Sequence, residues 1–296
     1  MNAASILFKR RRVSVATYVG CALRIWACSP LMIIWPSLGV TVMTLHIGIV
    51  GGSAEGAALC YRTICVEGAV LLGPHAHPEI SMHTPSLAQY VRCLECGDWQ
   101  GVGELMLASA DKLAKIGADF LICPDNTFHQ ALPAIASRSP LPWLHIAEPV
   151  VAEAVARRFR RLGLIGTRWL VESEVYPERL KARGLEYVRP NTAECDEINR
   201  IIMEELVYSV FNSEAIAYHQ QVIGRMKDAG CDGVVLGCTE TPLIMNDSNS
   251  PLPTLDSTRL LARAALHRAV QDDSRRAGES LEGTGAIRTE ETQGVR

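Results

Sequence analysis

The sequence predicts an α/β protein of two similar lobes facing each other, each a parallel sheet flanked by helices. Two patterns predict it. From Leu45 onward, short apolar runs alternate with longer amphipathic segments, the rhythm of βαβ units whose parallel strands need helical crossovers. The order of elements then repeats. Residues 101–123 read as helix, turn and strand, followed by polar Asp125-Asn126-Thr127. Residues 213–236 read the same way, followed by Gly237-Cys238-Thr239-Glu240. Both units end a strand beside an ionisable residue and a threonine, and parallel sheets bind ligands at the C-terminal ends of their strands.

The elements follow in order. Lys9-Arg10-Arg11-Arg12 precedes an apolar stretch over residues 13–42, the outline of a signal or anchor. Arg24 inside that stretch, and Pro30 and Pro36, which break a helix, argue against an anchor. Residues 1–42 are therefore expected to be a leader outside the fold or the product of a misassigned start, with Met43 opening the first strand. Buried strands are expected over residues 45–50, 120–123, 141–146, 162–165, 185–189, 233–236 and 252–255, each short and rich in branched or aromatic residues. Helices are expected over residues 57–70, 101–116, 150–159, 172–182, 194–206, 213–229 and 257–270. The first lobe takes residues 43–148 and the second residues 149–251. Residues 252–271 then return a strand and a helix to the first lobe. Residues 272–296 form a polar tail without hydrophobic periodicity, expected to be disordered.

Composition excludes several classes. A net charge of -3 over 296 residues and an aromatic share of 6% offer no electrostatic or stacking case for nucleic acid or an anionic membrane. The 10 cysteines are scattered through apolar stretches, which suits free thiols in a reducing cytoplasm and not a disulfide scaffold. Cys93 and Cys96 form a CxxC with no second pair at zinc spacing, so no metal site is expected there.

Three constellations can carry chemistry. Gly51-Gly52-Ser53-Ala54-Glu55-Gly56 joins a strand to a helix and offers backbone N–H groups to an anion; a tight turn that needs glycine is the competing account. Cys238 lies between a strand and a helix start, where a dipole favours a thiolate; a buried structural cysteine is the alternative. Asp125-Asn126-Thr127 holds the matching place in the first lobe, with a helix cap as the plainer role. His129 is open between a supporting contact and a surface position.

In order and spacing the chain resembles the aspartate/glutamate racemase superfamily over residues 45–270. The resemblance runs through Ile47-Gly48-Ile49-Val50-Gly51-Gly52, His77-Pro78-Glu79-Ile80, Pro124-Asp125-Asn126-Thr127, Gly163-Leu164-Ile165-Gly166-Thr167, Glu197-Ile198, Gly237-Cys238-Thr239-Glu240 and Asp256-Ser257-Thr258. It implies an active site in the cleft between the lobes, no pyridoxal phosphate or metal, and a homodimer. Two groups would flank the substrate Cα, one removing its proton and the other delivering one to the opposite face. The expected pair is Asp125 and Cys238. The expected substrate contacts are Gly52, Ser53, His77, Asn126, Thr127, Thr239 and Glu240.

The chain also departs from that pattern. Asp125 stands where most members of the superfamily carry cysteine. Ordinary pKa values of roughly 3.9 and 8.5 make carboxylate plus thiol the resting pair. After Tyr176, where a basic residue is common in enzymes for acidic amino acids, this chain has Pro177-Glu178. Arg179, Arg168 and His77 are the remaining candidates for a distal carboxylate. The expected activity is racemisation of an amino acid, aspartate or glutamate first. The alternatives are a decarboxylase or cis–trans isomerase of a small carboxylic acid, and a non-catalytic carboxylate-binding protein.

Overall fold

The computed structural model describes residues 44–282, with side chains as far as Gln271. The leader expected over residues 1–42 lies outside the described residues. Among the described residues, eight parallel strands form two four-stranded sheets. The first contains β1 (Ile47–Val50), β2 (Ile80–His83), β3 (Phe120–Ile122) and β4 (Trp143–Leu144) in the order β2-β1-β3-β4. The second contains β5 (Arg161–Ile165), β6 (Glu186–Val188), β7 (Gly233–Leu236) and β8 (Thr254–Asp256) in the order β6-β5-β7-β8. The two orders are the same, so the repeat legible in the chain is a repeat of topology. In each sheet the crossover direction reverses between the two central strands, and their carboxyl ends open the crevice that receives a ligand.

The helices are α1 (Ala54–Leu72), α2 (Leu87–Glu95), α3 (Trp99–Lys115), α4 (Leu132–Ile135) and α5 (Ala147–Ala156). They continue with α6 (Arg168–Val171), α7 (Pro177–Ala182), α8 (Thr192–Glu204), α9 (Ser213–Asp228), α10 (Thr241–Ile244) and α11 (Ser257–Glu282). The strands β1, β3, β5 and β7 are almost wholly buried, as their unbroken apolar sequences require.

Several expectations are corrected. The sequence predicts no strand over residues 80–83, yet Ile80–His83 is β2; it is an edge strand with one face open, so its apolar pattern is weak. α2 is likewise missing from the expected helices. The helix read over residues 172–182 begins only at Pro177, as α7, after a turn over residues 172–176 that follows α6; Pro177 has no N–H to continue a helix and starts one instead. The strand expected to return to the first lobe stays in the second sheet, where Val234, Val235 and Leu236 of β7 pair with Thr254, Leu255 and Asp256. Only α11 goes back: Leu261, Ala262, Ala265, Leu266 and Ala269 pack with Ile47, Ile49, Cys60 and Ile64. That helix also runs on to Glu282, past the expected limit at residue 271. Residues 283–296 lie outside the described residues.

Candidate active site

The carboxyl ends of the central strands of both sheets meet at one cavity. From the first lobe it is lined by Ser53 after β1 and by Asp125, Asn126 and Thr127 after β3. From the second it is lined by Thr167 after β5 and by Gly237, Cys238, Thr239 and Glu240 after β7. The residues expected to carry the acid/base chemistry therefore line one space, brought there by equivalent strands. Asp125 stands at the cap position of a short 3-10 helix, Asn126–Gln130, but its side chain caps nothing. It reaches across the sheet instead, and Oδ2 accepts the Gly52 N–H at 2.8 Å while Oδ1 accepts the Ser53 N–H at 3.3 Å. The anion held by the glycine-containing loop is thus the protein's own carboxylate, not a substrate's.

Close approach explains the glycines of that loop. A Cβ on Gly52 would lie 2.3 Å from the Phe128 ring, and one on Gly56 would lie 2.2 Å from the Thr239 side chain. Gly56 N–H donates to Ser53 Oγ at 3.1 Å, and Ser53 Oγ lies 2.9 Å from Thr239 Oγ1. Thr239 Oγ1 donates onward to Glu240 Oε2 at 2.6 Å, which leaves Ser53 as donor in the middle link. A relay of hydroxyls thus joins the start of α1 to the far lobe.

Burial and Glu240 raise both candidate acid/base groups, which differ in their hydrogen bonds. Burial raises the Asp125 pKa to about 7, with Glu240 adding to the rise and the two backbone N–H bonds opposing it. The Cys238 thiol donates to Glu240 Oε2 at 2.9 Å. Burial, and then the Glu240 carboxyl, hold it well above the usual thiol range. The thiolate expected from a helix dipole at this position is corrected by the structure: α10 is only four residues long, and a buried thiol bonded to a carboxyl keeps its proton.

The remaining residues sort differently. Asn126 lines the cavity but is held from both ends: Tyr176 OH donates to its Oδ1 at 2.6 Å and its Nδ2 donates to Ser257 Oγ at 2.9 Å. Ser257 in turn donates to the Leu236 carbonyl at 2.8 Å, at the end of β7. Asn126 is therefore a strut between the lobes more than a free substrate contact. Thr127 Oγ1 meets Thr167 Oγ1 at 3.0 Å across the cleft. His77 does not reach the cavity. It lies three residues before β2, and its ring meets the Pro78 carbonyl at 2.8 Å. Parallel strands put that end of the sheet on the opposite edge from the site.

His129 is buried away from the cavity. Its Nε2 donates to the Cys123 carbonyl at 2.9 Å, and burial pulls its pKa down to about 4, so it supports β3 as a neutral ring. Cys123 packs in the first-lobe core. Thr167, Tyr176 and Ser257 complete the polar site, and nothing local in their sequence marks them; only the motif spacing touches them. Among the described residues no group of His, Cys, Asp or Glu is arranged to hold a metal ion, and no helix is long and apolar enough to cross a membrane.

Residues 53–265 match the model of the Asp/Glu/Hydantoin racemase family. The chain belongs to this family. Among curated relatives, the broad specificity amino-acid racemase RacX of Bacillus subtilis (strain 168) is 23% identical over 172 residues, 57% of this chain and 73% of that one. A glutamate racemase of Thermus thermophilus is 31% identical over 157 residues, 51% of this chain and 55% of that one. The chain thus matches between about half and three quarters of the length of these racemases. An aspartate racemase homologue from Pyrococcus horikoshii OT3 superposes with a TM-score of 0.66 at 26% identity, covering 76% of this chain and 99% of that one. A glutamate racemase from Aquifex pyrophilus, at 20% identity, shares the fold with a TM-score of 0.56 over 77% of this chain and 85% of its own. The two-lobed α/β architecture is that of these Asp/Glu/hydantoin racemase structures.

Proposed function

We propose that this chain racemises an amino acid by proton transfer at Cα between Asp125 and Cys238. The observation that carries the reading is the placement of these two residues after equivalent strands, β3 and β7, on one cavity. The Asp125 carboxylate takes the Cα proton from one face while the Cys238 thiol delivers its proton to the other. The enzyme is left with a protonated Asp125 and a Cys238 thiolate, and exchange with solvent resets the pair. In the reverse direction the roles are exchanged. The raised pKa of Asp125 suits this work, because a base with a pKa of about 7 is stronger than an ordinary carboxylate and still about half ionised at pH 7. The Thr127–Thr167 hydroxyl pair uses one proton within the pair and keeps the other to donate to charge that develops on the substrate carboxylate.

Aspartate and glutamate are the first substrates to try, by the names of the relatives. The test is incubation of each L-amino acid with the protein in D₂O, with Cα–H exchange followed by NMR. Deuterium incorporation with formation of the D-enantiomer is expected, and exchange with no amino acid at all would remove the racemase reading. Product from malonate- or maleate-type acids without inversion would favour a lyase or cis–trans isomerase on the same scaffold.

A further inference from the structure

The cavity has two unlike walls. The wall at the strand ends carries the carboxyls and hydroxyls described above. Much of the remaining lining is apolar: Leu87 and Val91 come from one face of α2, Trp169 from α6, Met203 from α8 and Val207 from the turn that follows. Leu87 and Val91 are four residues apart, which stacks them on a single helix face. All five are half-buried, so each presents apolar surface to the space as well as to the core.

Among the described residues, no Lys, Arg or His lines the cavity. The arginines next to it in the chain are taken up by acids: Arg168 pairs with Asp196, and Arg200 pairs with Glu197 and Glu205. The charged groups that do line the space, Asp125 and Glu240, are both acidic. Glu240 is 3% exposed, and its Oε1 is buried with no hydrogen-bond partner. A lone buried acceptor of that kind calls for a donor from the ligand, and an ammonium supplies one with the right charge. A second carboxylate on the substrate would meet two acids and no cation, an unfavourable burial.

We infer that the substrate of this site carries an aliphatic side chain, set against Leu87, Val91, Trp169, Met203 and Val207, with its ammonium on Glu240. The inference deepens the racemase reading and rests on it. Added methylenes in an apolar pocket are worth roughly 10- to 200-fold each in discrimination, so the preference is measurable.

The test compares L-alanine, L-valine, L-leucine and L-methionine with L-aspartate and L-glutamate on the full chain. Cα–H exchange in D₂O and ligand-induced rise in Tm are measured together. Exchange and thermal stabilisation are expected with the aliphatic set, at rates at least about tenfold above the acidic pair. Faster exchange with aspartate or glutamate overturns the inference and leaves the racemase reading standing. Thermal stabilisation by the aliphatic set without exchange does the reverse. No response to any of the six overturns both. The Met203→Lys variant, checked for folding by circular dichroism, is expected to raise the aspartate-to-leucine rate ratio about tenfold or more, with Val207→Lys as a second variant on the same wall. An unchanged ratio in a folded variant overturns the assignment of that wall.

Discussion

The ends of β3 and β7 are equivalent places in two sheets of the same topology, and they treat their ionisable residues in opposite ways. After β3, Asp125 accepts two backbone N–H groups from the loop that follows β1, interactions that favour its charged form against burial. After β7, Cys238 finds a carboxyl acceptor two residues along, which favours its protonated form. One position is built to be able to lose a proton and the other to keep one. A pair of that kind starts with a single proton to hand across the cleft, which is what a two-sided transfer at Cα requires. An inherited repeat need not yield two identical bases; the neighbours of each strand end decide what it can do.

The comparison breaks most plainly if either member is dispensable. Asp125→Asn and Cys238→Ser are each expected to lower kcat by roughly 10²–10⁴, read from the change in optical rotation with time. A folded Asp125→Asn protein with near-normal turnover would reduce the site to a single acid/base group.

A smaller effect sharpens the electrostatic half of the contrast. Below about pH 7 Asp125 is protonated while Cys238 is still a thiol, so no base is left. kcat/KM is therefore expected to rise with pH through about 7, and to do so equally for both enantiomers, because their interconversion has an equilibrium constant of one. Glu240 contributes to the high value at Asp125. Glu240→Gln is expected to move this acid limb to lower pH by on the order of one unit, measured from initial rates across a pH series. A limb that does not move would show that burial alone sets Asp125.

Stability carries the same signature. Folding raises the Asp125 pKa from 3.8 to about 7. Its proton therefore stabilises the fold fully below the unfolded value, and that contribution is lost as pH rises through about 7. Urea unfolding of Asp125→Asn is expected to lose this slope of stability against pH, an effect of a few kcal/mol between about pH 4 and 7 by the conversion of about 1.4 kcal/mol per pKa unit.

The smallest expected effect tests the strut between the lobes. Tyr176→Phe leaves the buried Asn126 Oδ1 without its donor. A loss of about 1–3 kcal/mol in unfolding free energy is expected, with activity falling only a few-fold. A loss of turnover as large as that of Cys238→Ser would instead place Tyr176 in the chemistry.

Much of this was legible in the chain alone. The apolar runs of β1, β3, β5 and β7 and the repeated order of elements were sufficient for the fold, because strands buried on both faces must be apolar throughout. The motifs after β3 and β7 singled out Asp125 and Cys238. β2 was not legible, since an edge strand with one open face lacks that signal. Nor was the place of His77, which the spacing of motifs brought near the site while strand direction put it at the other end of the sheet.

By itself, then, the sequence determined the two lobes and singled out the two strand-end residues that line one cavity, because strand periodicity and strand-end motifs are local properties. The tertiary structure alone decided what those residues can do. That Asp125 fills the loop after β1, that Glu240 holds the Cys238 proton, that Asn126 is tied by Tyr176 and Ser257, and that no cation among the described residues shares the cleft all depend on burial or on groups far apart in the chain. Proton affinity and pocket polarity are set by distance and dielectric, and neither is written in the order of residues along a chain.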